Sequence, residues 1–550
     1  MMPTITLDKG VFESLVGKKL DLDKLKDRIS MLGTDLEKIE GNEIHVEVFP
    51  NRPDMLSEQG FARAFGAFIG VSPGLRKYEV KPSGEKTIIK NIPKEWPYAV
   101  TAIVKGLKFS DEKIREVVQI QEKLAVTHLR NRKKGGIGIY PLDNITFPVN
   151  FTGKAPQEIV YRPLEFSKAI SAPEILEKHP TGKKFGNICK GWKKLPVFID
   201  ASGKILSMPP IVNSHEMGKI NEKTKDVFIE ATGTDLETLK VTINILSTAL
   251  ADMGGQIYSM DVMYGDTTLT IPDLSPRRTK VDTAFVNKLL GLNIKELDVK
   301  RLLERMGYGY QDGAVLIPAY RADILHQVDL IEDIAIAYGY ENFKEELPKV
   351  ATVGKESDVE ILKRRIASIL IGVGLLEVHT YHITNEENHD RKMMHPTKLV
   401  RLANALTADY DSLRNWMIPS LLRVLSSNTR HEYPQMIFEI GRVFIEDESM
   451  ETGVREPYRL AVILCGPGFD FTRAKQVFDA LMAALDLTYD VAEVEHPSFI
   501  PGRVGRASIT KKNVAYIGEI APAVLANWGI EMPAVGFELN ISDLFELMKK

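Results

Sequence analysis

The chain has 550 residues, 44% hydrophobic and 26% charged, and 71 Lys and Arg against 74 Asp and Glu give a net charge of -3. That length accommodates roughly three to five domains, and the near balance of charge excludes a protein that coats nucleic acid by bulk charge. RNA contact would have to come from local patches such as Arg130-Asn131-Arg132-Lys133-Lys134 or Arg277-Arg278-Thr279-Lys280, although short charge runs are also ordinary solvated faces. No stretch is long and apolar enough to span a bilayer, and Met1 to Val11 lacks a signal-peptide core, so the expected location is the cytoplasm, with no membrane. Two distant cysteines, Cys189 and Cys465, read as reduced buried thiols rather than a disulfide framework or a zinc site.

The first segment holds Asn51-Arg52-Pro53-Asp54, then Ser57 as a helix cap, with Phe61, Ala64, Phe65 and Phe68 as one apolar stripe and Gly70 at the end. This reads as a turn into a packed helix that needs no chemistry. Pro82-Ser83-Gly84 reads as a linker. Strands are expected at Pro97 to Val104, Ile137 to Tyr140 and Leu195 to Ile199, and helices at Lys113 to Leu124 and Leu236 to Met253, the last closed by Gly254-Gly255. A small unit follows: a helix from Asp282 to Leu290, a second from Glu296 to Met306, a strand Val315 to Ile317 and a third helix from Val328 to Tyr338. Two helices, a ribbon and a basic entry segment resemble a winged-helix layout. Beyond it, Ile361 to Ile371 is helical. Glu377 to His382, Met436 to Ile440 and Tyr458 to Leu464 read as strands, pointing to an antiparallel sheet flanked by helices.

Two constellations could carry chemistry. Asp323 ends a strand-like run, and Asp329, Glu332 and Asp333 follow on the third helix at spacings of three and four, expected on one face. Converging carboxylates repel unless a hard cation such as Mg2+ joins them. The same acids also read as first-turn complements of the helix dipole. In the middle region Gln121, Arg132, Ser207 and Asn213 are polar groups near element ends, and Ser207 to Glu216 is a proline-containing loop rich in hydrogen-bonding side chains. Such loops hold small ligands or simply turn the chain. His379 and His382, three apart on a strand, would face opposite sides and make a poor metal pair. No Ser-His-Asp grouping and no Walker-type glycine loop is present.

In order and spacing these segments resemble the beta subunit of phenylalanyl-tRNA synthetase, in its shorter archaeal and eukaryotic cytoplasmic form. The resemblance runs from Asn51-Arg52-Pro53-Asp54 through Ser207 to Asn213, Thr232-Gly233-Thr234-Asp235, Tyr320 to Ile324 and Asp329 to Asp333. It closes at Leu413-Arg414, Pro419 to Leu422, Phe438 to Gly441 and His496-Pro497. It implies an α+β multidomain chain: an N-terminal α/β module (1–84), an editing domain (85–266), a winged-helix-like magnesium-binding domain (267–346) and a class II synthetase-like, catalytically degenerate module (347–550). It also implies Mg2+ on Asp323, Asp329, Glu332 and Asp333, and an editing site lined by Gln121, Arg132, Ser207 and Asn213, with His215 and Glu216 as weaker candidates. That site would hydrolyse tyrosine misattached to tRNA(Phe). The stretch Ala534 to Leu544 has no arginine for ATP phosphates, so ATP binding falls to an alpha subunit in a heterotetramer of two alpha and two beta chains. A nucleic-acid-binding scaffold that has lost editing, or a freestanding trans-editing hydrolase, are the alternatives. The large degenerate module argues against the latter.

Overall fold

The computed structural model describes residues 3–347 and 353–549, which fall in two compact units, the first ending at Leu347. Each has its own apolar cores, and the chain is a mixed α/β protein built on several sheets.

The first unit begins with a small antiparallel sheet of Thr4–Asp8, Glu43–Glu47 and Asp35–Glu40, in that spatial order. Against it lies the helix Glu58–Phe68. Ser57 caps it by accepting the Gly60 N–H at 3.0 Å, and Phe61 and Phe65 bury against Phe12. Pro82-Ser83-Gly84 is not a linker. It lies inside the strand Val80–Lys90, which pairs in parallel with both Gln256–Tyr264 and Val149–Lys154. The register slips around this stretch, so the turn-forming residues mark an irregularity in a strand rather than its end.

That strand belongs to a ten-stranded sheet. Running outward from it, Gln256–Tyr264, Tyr98–Lys105, Val227–Gly233 and Gly135–Pro141 form one flank. Val149–Lys154, Leu195–Ile199, Ile205–Met208 and Val212–Asn213 form the other, and the tenth strand, Thr267–Ile271, pairs with Gln256–Tyr264. The helix Leu236–Asp252 packs on the first flank, its N-terminus capped by Asp235. Val227–Gly233 is buried at every position, sandwiched between neighbouring strands and helix, which explains its almost wholly apolar sequence.

Next comes a three-stranded antiparallel sheet of Arg277–Lys280, Ala314–Ile317 and Gly309–Gln311, with helices Thr283–Leu290, Glu296–Arg305 and Gln327–Tyr338. Gly291, just past the first of these helices, takes the left-handed conformation (φ 67°) that a glycine stop allows.

The second unit is a seven-stranded sheet in which only the edge pair Leu376–Glu377 with Gln435–Arg442 is parallel. Helices Asp358–Gly372, Phe471–Ala484 and Ile541–Met548 contribute to one apolar core on this sheet, and Ile418–Ser427 and Pro522–Asn527 to a second. The strand expected over Glu377 to His382 stops at Glu377: Gln435–Arg442 pairs in register with Leu376 and Glu377, and Val378 adds one last N–H to the Phe438 carbonyl. His379 is left exposed and His382 lies against Phe444. At the heart of this unit Arg414 and Glu439 form a fully buried ion pair at 2.9 Å. Both cysteines are free and buried, and burial pushes the Cys189 thiol up to about 12. Among the described residues no helix is long and apolar enough to cross a membrane.

Candidate functional site

A cavity of about 560 Å3 opens at the end of the large sheet in the first unit. Its walls combine the helix Asp111–Val126, the strands Gly135–Pro141, Val227–Gly233 and Ile205–Met208, and the loop through Pro209 and Pro210. Gln121, Arg132, Ser207 and Asn213 all stand on those walls. His215 and Glu216 do not. His215 Nδ1 accepts the Glu165 N–H at 3.1 Å, and Glu216 faces Arg162 at 3.5 Å.

The sheet brings the polar floor together. Ser207 pairs with Asn213 across neighbouring strands, and Glu230 lies opposite Gly138. Glu230 Oε1 accepts the Tyr140 hydroxyl at 2.8 Å and the Ser207 hydroxyl at 3.1 Å. Tyr140 is also 3.1 Å from Asn213 Oδ1, so one phenolic proton serves two acceptors. Glu230 Oε2 has no partner. Only 2% of Glu230 is exposed, and this burial, opposed by the two hydroxyl bonds, lifts its carboxyl to about 7. The approach requires a glycine at 138. A Cβ there would run into the Tyr140 hydroxyl and come within 2.5 Å of Glu230 Oε1.

Arg132 sits at the opposite wall for a backbone reason. The helix Asp111–Val126 ends in a turn where Arg130, Asn131 and Arg132 all take positive φ (50°, 54° and 63°), which is strained for side-chain-bearing residues. The turn aims the Arg132 guanidinium at the proline loop, where it donates to the carbonyls of Pro210 (2.9 Å) and Ile211 (3.0 Å) and stacks over Phe185. Arg132 thus holds the loop that carries Ser207 and Asn213 at its two ends. Of the other basic residues of this run, Arg130 and Lys133 are exposed and Lys134 is half-buried.

Glu230 and Tyr140 are the members that sequence reasoning did not single out. The signal was present in Val227-Phe228-Ile229-Glu230-Ala231, where one charge interrupts an apolar strand.

The four acids expected to hold Mg2+ are arranged differently. Arg321 forks onto Asp323 at 2.8 and 2.7 Å and reaches Asp333 at 2.8 Å, while the Tyr308 hydroxyl also donates to Asp333. Asp329 accepts the N–H groups of Leu325 and His326 ahead of its helix, each at 2.7 Å. Glu332 is exposed while Asp333 is buried, so the three helical acids, although within about 100° of one another around the helix, meet different surroundings. Mg2+ needs carboxylate oxygens free to converge on it, and here a guanidinium claims two of the four groups. Among the described residues no three His, Cys, Asp or Glu are placed to share an ion, and the donor set does not fit a four-carboxylate cation cage.

Two family models match the chain: the tRNA synthetase B5 domain over residues 279–340, and the phenylalanyl tRNA synthetase beta chain CLM domain over residues 343–541. These define a subunit of an aminoacyl-tRNA synthetase. Relatives named phenylalanine--tRNA ligase beta subunit are 38% identical in Pyrococcus abyssi, over 99% of this chain and 100% of the relative. The one in Archaeoglobus fulgidus is 37% identical, over 99% of both. The crystal structure of an N-terminal fragment of the phenylalanyl-tRNA synthetase beta subunit from Pyrococcus horikoshii superposes with a TM-score of 0.59 at 35% identity. It covers 61% of this chain and 99% of the fragment. The chain belongs to the phenylalanine--tRNA ligase beta subunit family.

Proposed function

We propose that the cavity is an editing site that hydrolyses tyrosine from mischarged tRNA(Phe), and that this chain supports, but does not perform, the attachment of phenylalanine. The observation that carries the reading is the buried carboxyl of Glu230 on the wall of this cavity, with one oxygen unpaired. Tyrosine differs from phenylalanine by one hydroxyl, and an apolar synthetic pocket discriminates against such an added group by only about a hundredfold. A phenolic hydroxyl reaching Glu230 supplies the missing partner. Phenylalanine would leave it unpaired in a dry site, which is unfavourable. Ser207 and Tyr140 fix that carboxyl, Asn213 holds Tyr140 and Arg132 fixes the loop, so the ester is oriented for attack by water. No neighbouring His activates Ser207 as a nucleophile: its hydroxyl is committed to Glu230.

The synthetic reaction belongs in this reading to an alpha subunit that binds ATP, in a cytoplasmic assembly of two alpha and two beta chains acting on tRNA(Phe). Two features of the second unit support it. Glu538 occupies the strand Ala534–Asn540, pairs with Arg459 at 2.8 Å and caps the backbone at Met417 and Ile418, so the nearby Arg459 is already committed to a carboxylate rather than free for a phosphate. Ile361 and Ile371 on the helix Asp358–Gly372, Val373 just past it and Leu376 on the edge strand are also exposed, apolar side chains available to a partner.

The test is hydrolysis of tyrosyl-tRNA(Phe) by the assembled enzyme with wild-type or Asn213→Ala beta chain. The reading expects slower deacylation with phenylalanine charging retained. Unchanged deacylation would remove this cavity from the reaction.

A further inference from the structure

A second cavity in the first unit, of about 250 Å3, lies apart from the editing site and carries an unusual lining. Arg52, Arg63, Arg76 and Arg321 all border it, with Asp54 the only carboxylate on its wall. Three of these arginine side chains are at least nine-tenths buried: Arg52 and Arg63 at 8% exposure and Arg321 at 1%. The turn at Arg52 and the segment Tyr320-Arg321, remote in sequence, converge here, and Tyr320 adds a ring over which the Arg63 guanidinium stacks at 4.1 Å.

The partners of these cations lie behind them. Arg321 turns to Asp323 and Asp333, while Arg63 and Arg76 share Asp252, and none of those three carboxylates reaches the cavity wall. Four carboxylates balance four guanidiniums overall, yet the wall presents four cations and one anion. Four guanidiniums hold about twenty N–H donors. The structure engages them in seven hydrogen bonds and one further ion pair to Arg76. Arg63 Nη2 and Arg321 Nη1 are buried without a partner. Preorganised, donor-rich guanidiniums around a small polar recess match a tetrahedral oxyanion, which takes paired N–H donors in planar forks. A recess of this size admits a single phosphoryl group and excludes a folded partner.

We infer that this recess binds a phosphoryl group, either free inorganic phosphate or one phosphate of an RNA backbone. Arg76, half-exposed at the mouth, is the gatekeeping contact, and the three buried arginines form the floor.

The test uses the full chain, titrated with sodium phosphate against sodium chloride at matched ionic strength and followed by thermal unfolding and 31P line broadening. A second titration uses a short single-stranded RNA. Because Arg52 and Arg321 variants would disturb the fold, the variants are Arg76→Ala and Ser72→Asp, both at exposed positions on the rim. Losing one charge-assisted contact should weaken binding about tenfold, and the added carboxylate of Ser72→Asp should weaken it at least as much. Phosphate binding that both variants weaken assigns the site to the free anion. RNA binding weakened by both, with inorganic phosphate inert, assigns it to a backbone phosphate. Phosphate and RNA responses equal to chloride, or unaffected by both variants, overturn the inference.

Discussion

Replacing Glu230 by Gln keeps the size of the side chain and an oxygen for Tyr140 and Ser207 but removes the charge. Burial lifts this carboxyl from its ordinary value near 4.5 to about 7, so it is largely protonated at pH 6 and ionised at pH 8. An ionised acceptor gives a phenol hydroxyl a bond of about 1.5–3 kcal/mol, a neutral one about 0.5–1.5 kcal/mol. The difference corresponds to roughly tenfold. In single-turnover deacylation of tyrosyl-tRNA(Phe), corrected for spontaneous hydrolysis, Glu230→Gln should therefore be about tenfold slower than wild type at pH 8, with the gap closing below pH 6. Stability should move the opposite way. A carboxyl whose folded value is raised destabilises the fold when ionised. The penalty is absent below pH 4.5, grows as pH rises to about 7, and is complete above it, at about 3 kcal/mol. From pH 5 to pH 8 the unfolding midpoint of Glu230→Gln should gain on wild type. Superimposable pH–rate profiles for the two proteins would refute the assignment of Glu230 to hydroxyl recognition.

Other outcomes follow from the same geometry. Gly138→Ala places a methyl against the Tyr140 hydroxyl and Glu230, and should destabilise the first unit by about 1–3 kcal/mol and abolish deacylation while charging persists, as calorimetry and tRNA assays would show. Arg132→Ala frees the carbonyls of Pro210 and Ile211, so deacylation should fall and Arg132→Lys, with no planar fork, should rescue it only in part, read as kcat against KM. In the second unit Arg414→Ala leaves Glu439 buried and unpaired and should lower stability by about 3–5 kcal/mol in chemical denaturation, whereas the paired change to Met and Leu should lower it much less.

Much of this architecture was legible because local rules agreed with the tertiary setting. Ser57 and Asp282 mark helix starts in sequence and do so in the fold. Leu195–Ile199 is apolar enough to read as a strand from composition alone. The failures share a cause, the dependence of a residue's role on partners far along the chain. Pro82-Ser83-Gly84 looks like a linker until Gln256–Tyr264 pairs beside it, some 175 residues later. Glu377 to His382 looks like a strand, but its pairing ends with the Val378 N–H on the Phe438 carbonyl. At the candidate site the four polar residues named from sequence do line one cavity, yet Glu230 on the same wall was not named, a single charge within a strand of mostly apolar residues. The acids from Asp323 to Asp333 show the reverse: their spacing suggested convergence, but Arg321, two residues before the first of them, already satisfies two.

The central claim is a division of labour, with proofreading in this chain and synthesis in its partner. It is tested most directly by measuring phenylalanine charging of tRNA(Phe) by the purified chain alone and after assembly with an alpha subunit. The account predicts no charging by the chain alone and full charging by the complex. Charging by the isolated chain would contradict it and require an ATP site within this sequence.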